Sequence, residues 1–171
     1  LSLLVGVIFI IIFAQIKIEL PGEIPVTGQT FAVLLTGYLL GWKMGGLASL
    51  IYLFLGFFGL TVFASDPYGF EKLTGPAGGF LYGFLIGAIV VGLIGQKAKQ
   101  QLFANALIAN LIGTTIIMAL GTTHLAGHFG WTKALEVGFY PFLWGAMIKI
   151  VLGAIVGMLL KPFFEKMLGR K

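Results

Sequence analysis

Apolar residues run along the chain in long unbroken blocks, separated by short stretches rich in glycine, proline and charge, with no sustained alternation of period two. Blocks of helical length without a ten-residue alternating pattern predict membrane helices packed as a bundle, not a β-barrel. The first block predicts a helix over residues 1–18, with Ser2 and Gly6 at small-xxx-small spacing. Leu20-Pro21-Gly22-Glu23 and the residues up to Gly28 break that pattern as an outer loop, because proline and glycine punctuate regular structure. A second helix over 29–40 is short for a full span, so it is either tilted or completed by a loop that dips into the protein. Irregular backbone at such depth needs a cavity or protein around it. Residues 41–46 read as a turn, a third helix extends to about residue 60, and 61–76 form the longest outer loop. A fourth helix opens at Gly75-Pro-Ala-Gly-Gly-Phe80, 95–101 form a loop, and a fifth helix covers 102–120. Residues 121–133 form a last outer loop, a sixth helix covers 137–160, and 161–171 are a basic tail. The expected fold is an all-α integral membrane protein, a six-transmembrane-helix bundle making one domain over 1–171.

Composition agrees with the pattern. Of 171 residues 58% are hydrophobic and only 10% charged, and the mean hydropathy is +1.03. Twenty-six glycines suit lipid-embedded helices, which associate through small residues that let backbones approach. Cysteine is absent, which excludes disulfides and thiolate metal sites. The chain opens inside an apolar block with no basic stretch or small-residue cleavage site, which reads as a first membrane helix and not a signal peptide. It also lacks an initiator methionine, which leaves room for residues upstream.

A net charge of +5 could point to nucleic acid, but its distribution points to membrane topology. On one side of the expected bundle Lys43, Lys97, Lys99, Lys161, Lys166, Arg170 and Lys171 face one carboxylate, Glu165, a balance of +6. On the other, Lys17, Lys72 and Lys133 face Glu19, Glu23, Asp66, Glu71 and Glu136, a balance of −2. Basic loops stay in the cytoplasm, so both termini are expected there and the number of crossings is even.

The remaining charge, Lys149, interrupts the last apolar block. At about 1.5 Å per helical residue it lies roughly 18 Å from Lys161, too deep to snorkel easily to that end. A lysine at such depth costs about 2.5–3.5 kcal/mol on insertion scales, which favours a functional residue facing a cavity or an anionic ligand. The plainer reading pairs it with a helix C-terminus, a carbonyl or a water inside the bundle. No acidic residue lies in the other apolar blocks, so a carboxylate carried by a small molecule is the simplest counter-charge.

Other polar or small residues carry weaker signals. The glycines before Phe80 free backbone N–H groups at a helix start, where a ligand's oxygens could bind; they are also common turn residues. Gly79, Gly83 and Gly87 form a ridge that reads as helix packing. Asn110 sits mid-helix, where an amide must be hydrogen-bonded, either as interhelical glue or as a ligand contact. His124 and His128 have i, i+4 spacing but no third ligand, so they read as structural and no metal is expected. Trp131, Tyr140 and Trp144 read as interfacial anchors, and Trp144, about one turn above Lys149, could also wall a site. No G-x-x-x-x-G-K-[ST] sequence occurs, so energy for uphill transport would come from another protein.

The order of motifs resembles the biotin-binding S components, the BioY family, of energy-coupling factor (ECF) transporters. Ile24-Pro-Val-Thr-Gly-Gln-Thr-Phe-Ala, Gly75-Pro-Ala-Gly-Gly-Phe-Leu-Tyr-Gly83, Asn110-Leu-Ile-Gly113 and Pro-Phe-Leu-x-Gly-x-x-x-Lys ending at Lys149 carry the likeness over essentially the whole chain. It implies a six-helix subunit in a prokaryotic plasma membrane that captures a vitamin outside and delivers it with a transmembrane coupling subunit and two ATPase subunits. It implies further that the loop at Val26 to Gln29 closes over the site, that Gly78 and Gly79 contact ligand, and that Lys149 meets a polar or anionic ligand group. Ser2 and Gly6 are the nearest match to the helix-1 residues facing the coupling subunit. One departure stands out: members of the family usually carry an aspartate three residues before the lysine, where this chain has Ala146.

The reading is therefore a binding subunit for biotin, working by conformational gating without covalent chemistry or cofactor. Ala77 and the backbone beside it, Gln29, Val26, Asn110 and Lys149 are the expected polar contacts, with Phe80, Tyr82 and Trp144 as apolar walls. Loss of the aspartate removes an anionic acceptor for biotin's ring N–H groups, so lipoate, dethiobiotin or a medium-chain acid are alternatives. An intramembrane enzyme would need a nucleophile beside a base, and no such pair appears at membrane depth. A channel would need polar faces on several helices, which the chain lacks.

Overall fold

The computed structural model describes residues 1–18, 24–65, 68–97 and 103–169. The expected turn at Leu20–Glu23 and most of the expected loop at 98–101 lie outside them. Seven helices and one short strand pair occupy the described chain: α1 (Ser2–Ala14), β1 (Lys17–Ile18), β2 (Val26–Thr27), α2 (Gln29–Phe57), α3 (Phe70–Thr74), α4 (Gly78–Lys97), α5 (Phe103–Phe129), α6 (Trp131–Gly138) and α7 (Tyr140–Met167). Four of them, α2, α4, α5 and α7, are long and apolar enough to cross a membrane, and α1 is a shorter apolar helix. The protein is thus a helical membrane protein.

Its burial pattern runs opposite to that of a water-soluble bundle. On α7 the small residues Ala146, Gly153, Ala154 and Gly157 face inward, whereas Ile148, Leu152, Ile155 and Leu159 are exposed. Lipid solvates large apolar side chains as well as a protein core does, so close backbone approach decides which face packs.

α2 lies at the centre, packed on α1, α4 and α7, with α4 continuing onto α5. It is not one straight helix. Gly41 adopts φ 80, ψ 171, a region essentially closed to residues with a side chain, and divides α2 into arms over 29–40 and 42–57. The bend is sharp: a Cβ on Gly45 would fall 2.5 Å from the Gly37 Cα, whereas eight residues of unbroken helix span about 12 Å. Helix is regained at once, so the turn expected over 41–46 contracts to one residue.

Three other expectations are corrected. Helix 1 ends at Ala14, and Lys17–Ile18 pair antiparallel with Val26–Thr27, Lys17 opposite Thr27 and Ile18 opposite Val26. The β-branched residues there favour extended backbone. Gly121 does not end the fifth helix; a Cβ there would lie 2.2 Å from the Phe80 ring, so it is a packing glycine, and α5 runs on to Gly130, whose φ of 80° ends it. The outer loop expected over 121–133 is therefore mostly helix, continued by α6. Finally, α7 extends through the expected tail to Met167. Lys161 is 1% exposed and its Nζ donates to the Tyr38 carbonyl, one of the last carbonyls before the Gly41 break. Helix ends leave such carbonyls open, and a lysine is a suitable cap.

Candidate functional site

The glycine ridge of α4 settles how the site is built. Gly79 abuts His124 and the Leu120 carbonyl, Gly83 abuts the Ile117 backbone, and Gly87 touches Ile117 and Leu34. With no side chain in the way, α4 and α5 close tightly along this face. Beside it a cavity opens, walled by the β2 end, the start of α2, residues 63–65, α3, α4, α5 and α7.

Lys149 lines this cavity together with Ala146, one turn earlier on α7. Its Nζ donates to the Thr27 carbonyl at 3.0 Å, tying α7 to the strand pair 122 residues away in sequence. Thr27 and Gln29 are coupled as well. The Thr27 hydroxyl donates to Gln29 Oε1 at 2.8 Å, and the Gln29 backbone N–H donates to Thr27 Oγ1 at 3.3 Å. Behind them the Gln29 amide N–H donates to the Tyr52 hydroxyl, which donates to the Val62 carbonyl at 3.3 Å. Gln15 reaches the same carbonyl at 3.2 Å. Tyr52, fully buried, thus joins the start of α2 to the segment after α2, and the Val62 carbonyl also gathers in Gln15, the C-cap of α1.

A second ammonium belongs to the same cavity. Lys72 of α3, 7% exposed, donates to Ser65 Oγ at 2.9 Å, and both residues line the wall. The rest is mainly apolar, with Phe80 stacked on Phe142 at 5.7 Å between ring centroids, and Thr114 and Ile117 from α5.

The expected site residues separate into groups. Lys149, Gln29, Ala77 and Phe80 line the cavity. Val26 lies in β2 beside Thr27, with its Cγ1 near Gly145 of α7. Gly78 and Gly79 sit behind Ala77, where Leu73, His124 and Leu120 occupy the space a side chain would need. Tyr82 and Trp144 are on other faces, which corrects the expected apolar wall. Tyr82 is two residues from Phe80, about 200° round the helix, and its hydroxyl donates to the Leu73 carbonyl at 2.7 Å. Trp144 is five residues from Lys149, about 140° round, and is 76% exposed.

Asn110 also stands away from the cavity lining. Its Nδ2–H donates to the Ala106 carbonyl at 2.8 Å, and its Oδ1 lies against Gly153, where a Cβ would come within 2.7 Å. It packs α5 on α7; Thr114, one turn on, reaches the cavity instead. His124 and His128 fall within α5, not in a loop. His124 Nε2–H donates to the Gly75 carbonyl at 3.1 Å, and His128 Nε2 lies 3.3 Å from His124 Nε2. Among the described residues, no three His, Cys, Asp or Glu side chains come together to hold a metal. Ser2 and Gly6 border a separate apolar groove with Thr36, Leu160 and Phe164.

Lys72, Ser65 and Tyr52 were not singled out from sequence. A lysine in a polar loop reads as solvated, and nothing local marks it as inward. Tyr52 carried a usable signal, a hydroxyl in the middle of an apolar block.

A solved structure agrees with this architecture, and the chain has close relatives in sequence. The chain is 43% identical over 89% of both chains to a protein from Thermotoga maritima named as a biotin transporter. It is 34% identical to a probable biotin transporter from Pyrococcus horikoshii, covering 84% of this chain and 83% of that one. A biotin transporter from Rhizobium etli is 35% identical, with 78% and 76% covered. The fold superposes with a TM-score of 0.83 on the S-component for biotin from an ECF-type ABC transporter, at 24% identity over 94% of this chain and 88% of that one. The BioY family model matches residues 1–166, and on that match and these relatives the chain belongs to the BioY family.

Proposed function

We propose that the protein is the substrate-binding subunit of an ECF transporter, taking biotin from outside a prokaryotic cell and passing it inward with a transmembrane coupling subunit and two ATPases. It is a multi-pass protein of the plasma membrane. The observation that carries the reading is the cavity itself, mostly apolar, holding the ammonium of Lys149 against the strand pair where a ligand would meet both. Apolar walls with a few convergent polar groups are what a small amphiphilic vitamin requires. Because the Lys149 bond joins α7 to Thr27, ligand bound there would also steady the segment that covers it.

The crossings follow from the same reading. α1, the two arms of α2, α4, α5 and α7 make six, placing both ends in the cytoplasm with the basic excess. The arms of α2 are about 18 and 24 Å long, less than the ~30 Å hydrocarbon core, and the strand pair with residues 58–65 and 68–77 complete that end of the bundle. The groove at Ser2 and Gly6 is where the coupling subunit would dock.

A second reading keeps the transporter and changes the ligand. Ala146 places a methyl group in the cavity one turn before Lys149, where an aspartate would accept the ring N–H groups of biotin. Lipoate, which has no such donors, fits that wall without the acceptor; dethiobiotin would need it as biotin does.

Isothermal titration of the solubilised protein with biotin and, separately, lipoate tests both readings. Tight biotin binding weakened about tenfold or more by Lys149→Ala is the expected result, a hydrogen bond to a charged group being worth roughly 1.5–3 kcal/mol. Lipoate binding without biotin binding would select the second reading, and binding of neither would overturn both.

A further inference from the structure

Near the end of α5, two imidazoles and a carbonyl come together that the cavity does not use. His124 and His128 are one helical turn apart, so their rings leave the same face of α5. Spacing alone supplies two ligand atoms; the fold adds a third, the Gly75 carbonyl oxygen, from the corner between α3 and α4. His124 Nε2 lies 3.1 Å from that oxygen and 3.3 Å from His128 Nε2.

These separations match the edges of a tetrahedron around a metal ion. With metal–nitrogen bonds of about 2.0–2.1 Å, two imidazoles on one tetrahedral ion hold their nitrogens about 3.3 Å apart and their ring centroids roughly 5 Å apart. Here the nitrogens are 3.3 Å apart and the centroids 5.0 Å, with the rings inclined at 64°. Rings joined by a straight N–H···N bond of that length would stand further apart. The Gly75 carbonyl takes one hydrogen bond from the Gly78 N–H at 2.9 Å, and His124 Nε2–H meets its other lone pair. A bound ion takes the place of that proton as the His124 ring shifts to its Nδ1–H tautomer. Both histidines lie within two turns of Gly130, where α5 ends, and His128 is exposed, which leaves a path for an ion to enter.

We propose that His124, His128 and the Gly75 carbonyl bind a divalent transition-metal ion, with water as the fourth ligand, and that the ion clamps α5 to the α3–α4 corner. Imidazole ligands favour zinc, nickel or copper over magnesium or calcium. The corner borders the cavity, because Ala77 lines it. The site nevertheless uses none of the cavity's residues and stands whichever vitamin the protein carries.

The test is isothermal titration of zinc, and separately magnesium, into the chelator-treated, solubilised protein without a polyhistidine tag, and into His128→Ala and His124→Gln. The native protein should bind one zinc ion in preference to magnesium. Even the outer partners of metal ligands are worth about 10–100-fold in affinity, so each substitution should weaken zinc binding at least about tenfold. The glutamine of His124→Gln still offers an N–H to Gly75, and zinc-free melting curves of both variants should match the native one. Zinc should also slow amide hydrogen exchange over residues 75–78 in the native protein alone. No zinc binding, equal binding of magnesium, or zinc binding that either folded variant retains would overturn the site. Zinc held by the histidines without slower exchange at 75–78 would overturn the carbonyl ligand and with it the clamp.

Discussion

Tyr52 shows how one hydroxyl can set the polarity of a site it does not touch. Its O–H is spent on the Val62 carbonyl, so towards Gln29 it acts as an acceptor and draws the amide N–H to itself. The amide oxygen is thereby turned to the Thr27 hydroxyl, on the cavity side. Tyr52→Phe keeps the ring and its edge contact with Phe63 while freeing the amide to rotate. Hydrogen bonds between membrane helices average about 0.6 and reach about 1.7 kcal/mol, so ligand affinity should fall roughly threefold, and at most about eighteenfold, with the fold intact. Titration of the variant beside a melting curve separates these effects; unchanged affinity would mean that the amide's orientation is not used by the ligand. Asn110 is the contrasting residue, for its amide is consumed by Ala106 and by packing on Gly153. From sequence the two amides look equally functional, and only their surroundings separate them.

At the scale of elements, the break in α2 governs the most. Gly41 frees the last carbonyls of the first arm, Lys161 caps one of them, and Gly92 lets α4 approach the Trp42 backbone just past the bend. Gly41→Ala should destabilise the detergent-solubilised protein by about 1–3 kcal/mol, the usual cost of a side chain in a glycine-only region. Lys161→Met should also lower stability, because it leaves the Tyr38 carbonyl without this donor. Thermal unfolding followed by a fluorescence or size-exclusion readout measures both. A Gly41→Ala protein as stable as the native one would show that the backbone there can relax into a conformation open to alanine. That the chain bends near here was legible in Gly41-Trp-Lys-Met-Gly-Gly46, but the size of the turn was not. Gly45 and Gly46 resemble turn residues in sequence, whereas in the fold they pack against Gly37 and Ile89.

For the molecule as a whole, sidedness is the property most exposed to test. The absence of native cysteine allows single cysteines to be placed without further change. Lys43 follows the Gly41 bend and Lys133 lies in α6, and both are exposed. With six crossings, Lys43→Cys should react with an impermeant maleimide only from the cytoplasmic side and Lys133→Cys only from outside. Labelling of both from one side would mean that α2 does not reverse across the membrane.

The long apolar blocks and the lone deep charge at Lys149 are local properties, and from them the sequence determined a helical membrane protein with a cation that the fold brings to a cavity wall. That Gln29, Ala77 and Phe80 line the same cavity was legible in part, since each belongs to a short motif whose neighbours in sequence are also its neighbours in space. Tertiary structure decided the rest: whether Gly121 ends a helix or seats the Phe80 ring, whether Lys161 joins a solvated tail or caps a carbonyl 123 residues away, which faces Tyr82 and Trp144 take, and that Lys72 turns inward beside Ser65. In each of these cases one residue type serves two purposes, and what chooses between them is the atom lying opposite, supplied by a distant part of the chain.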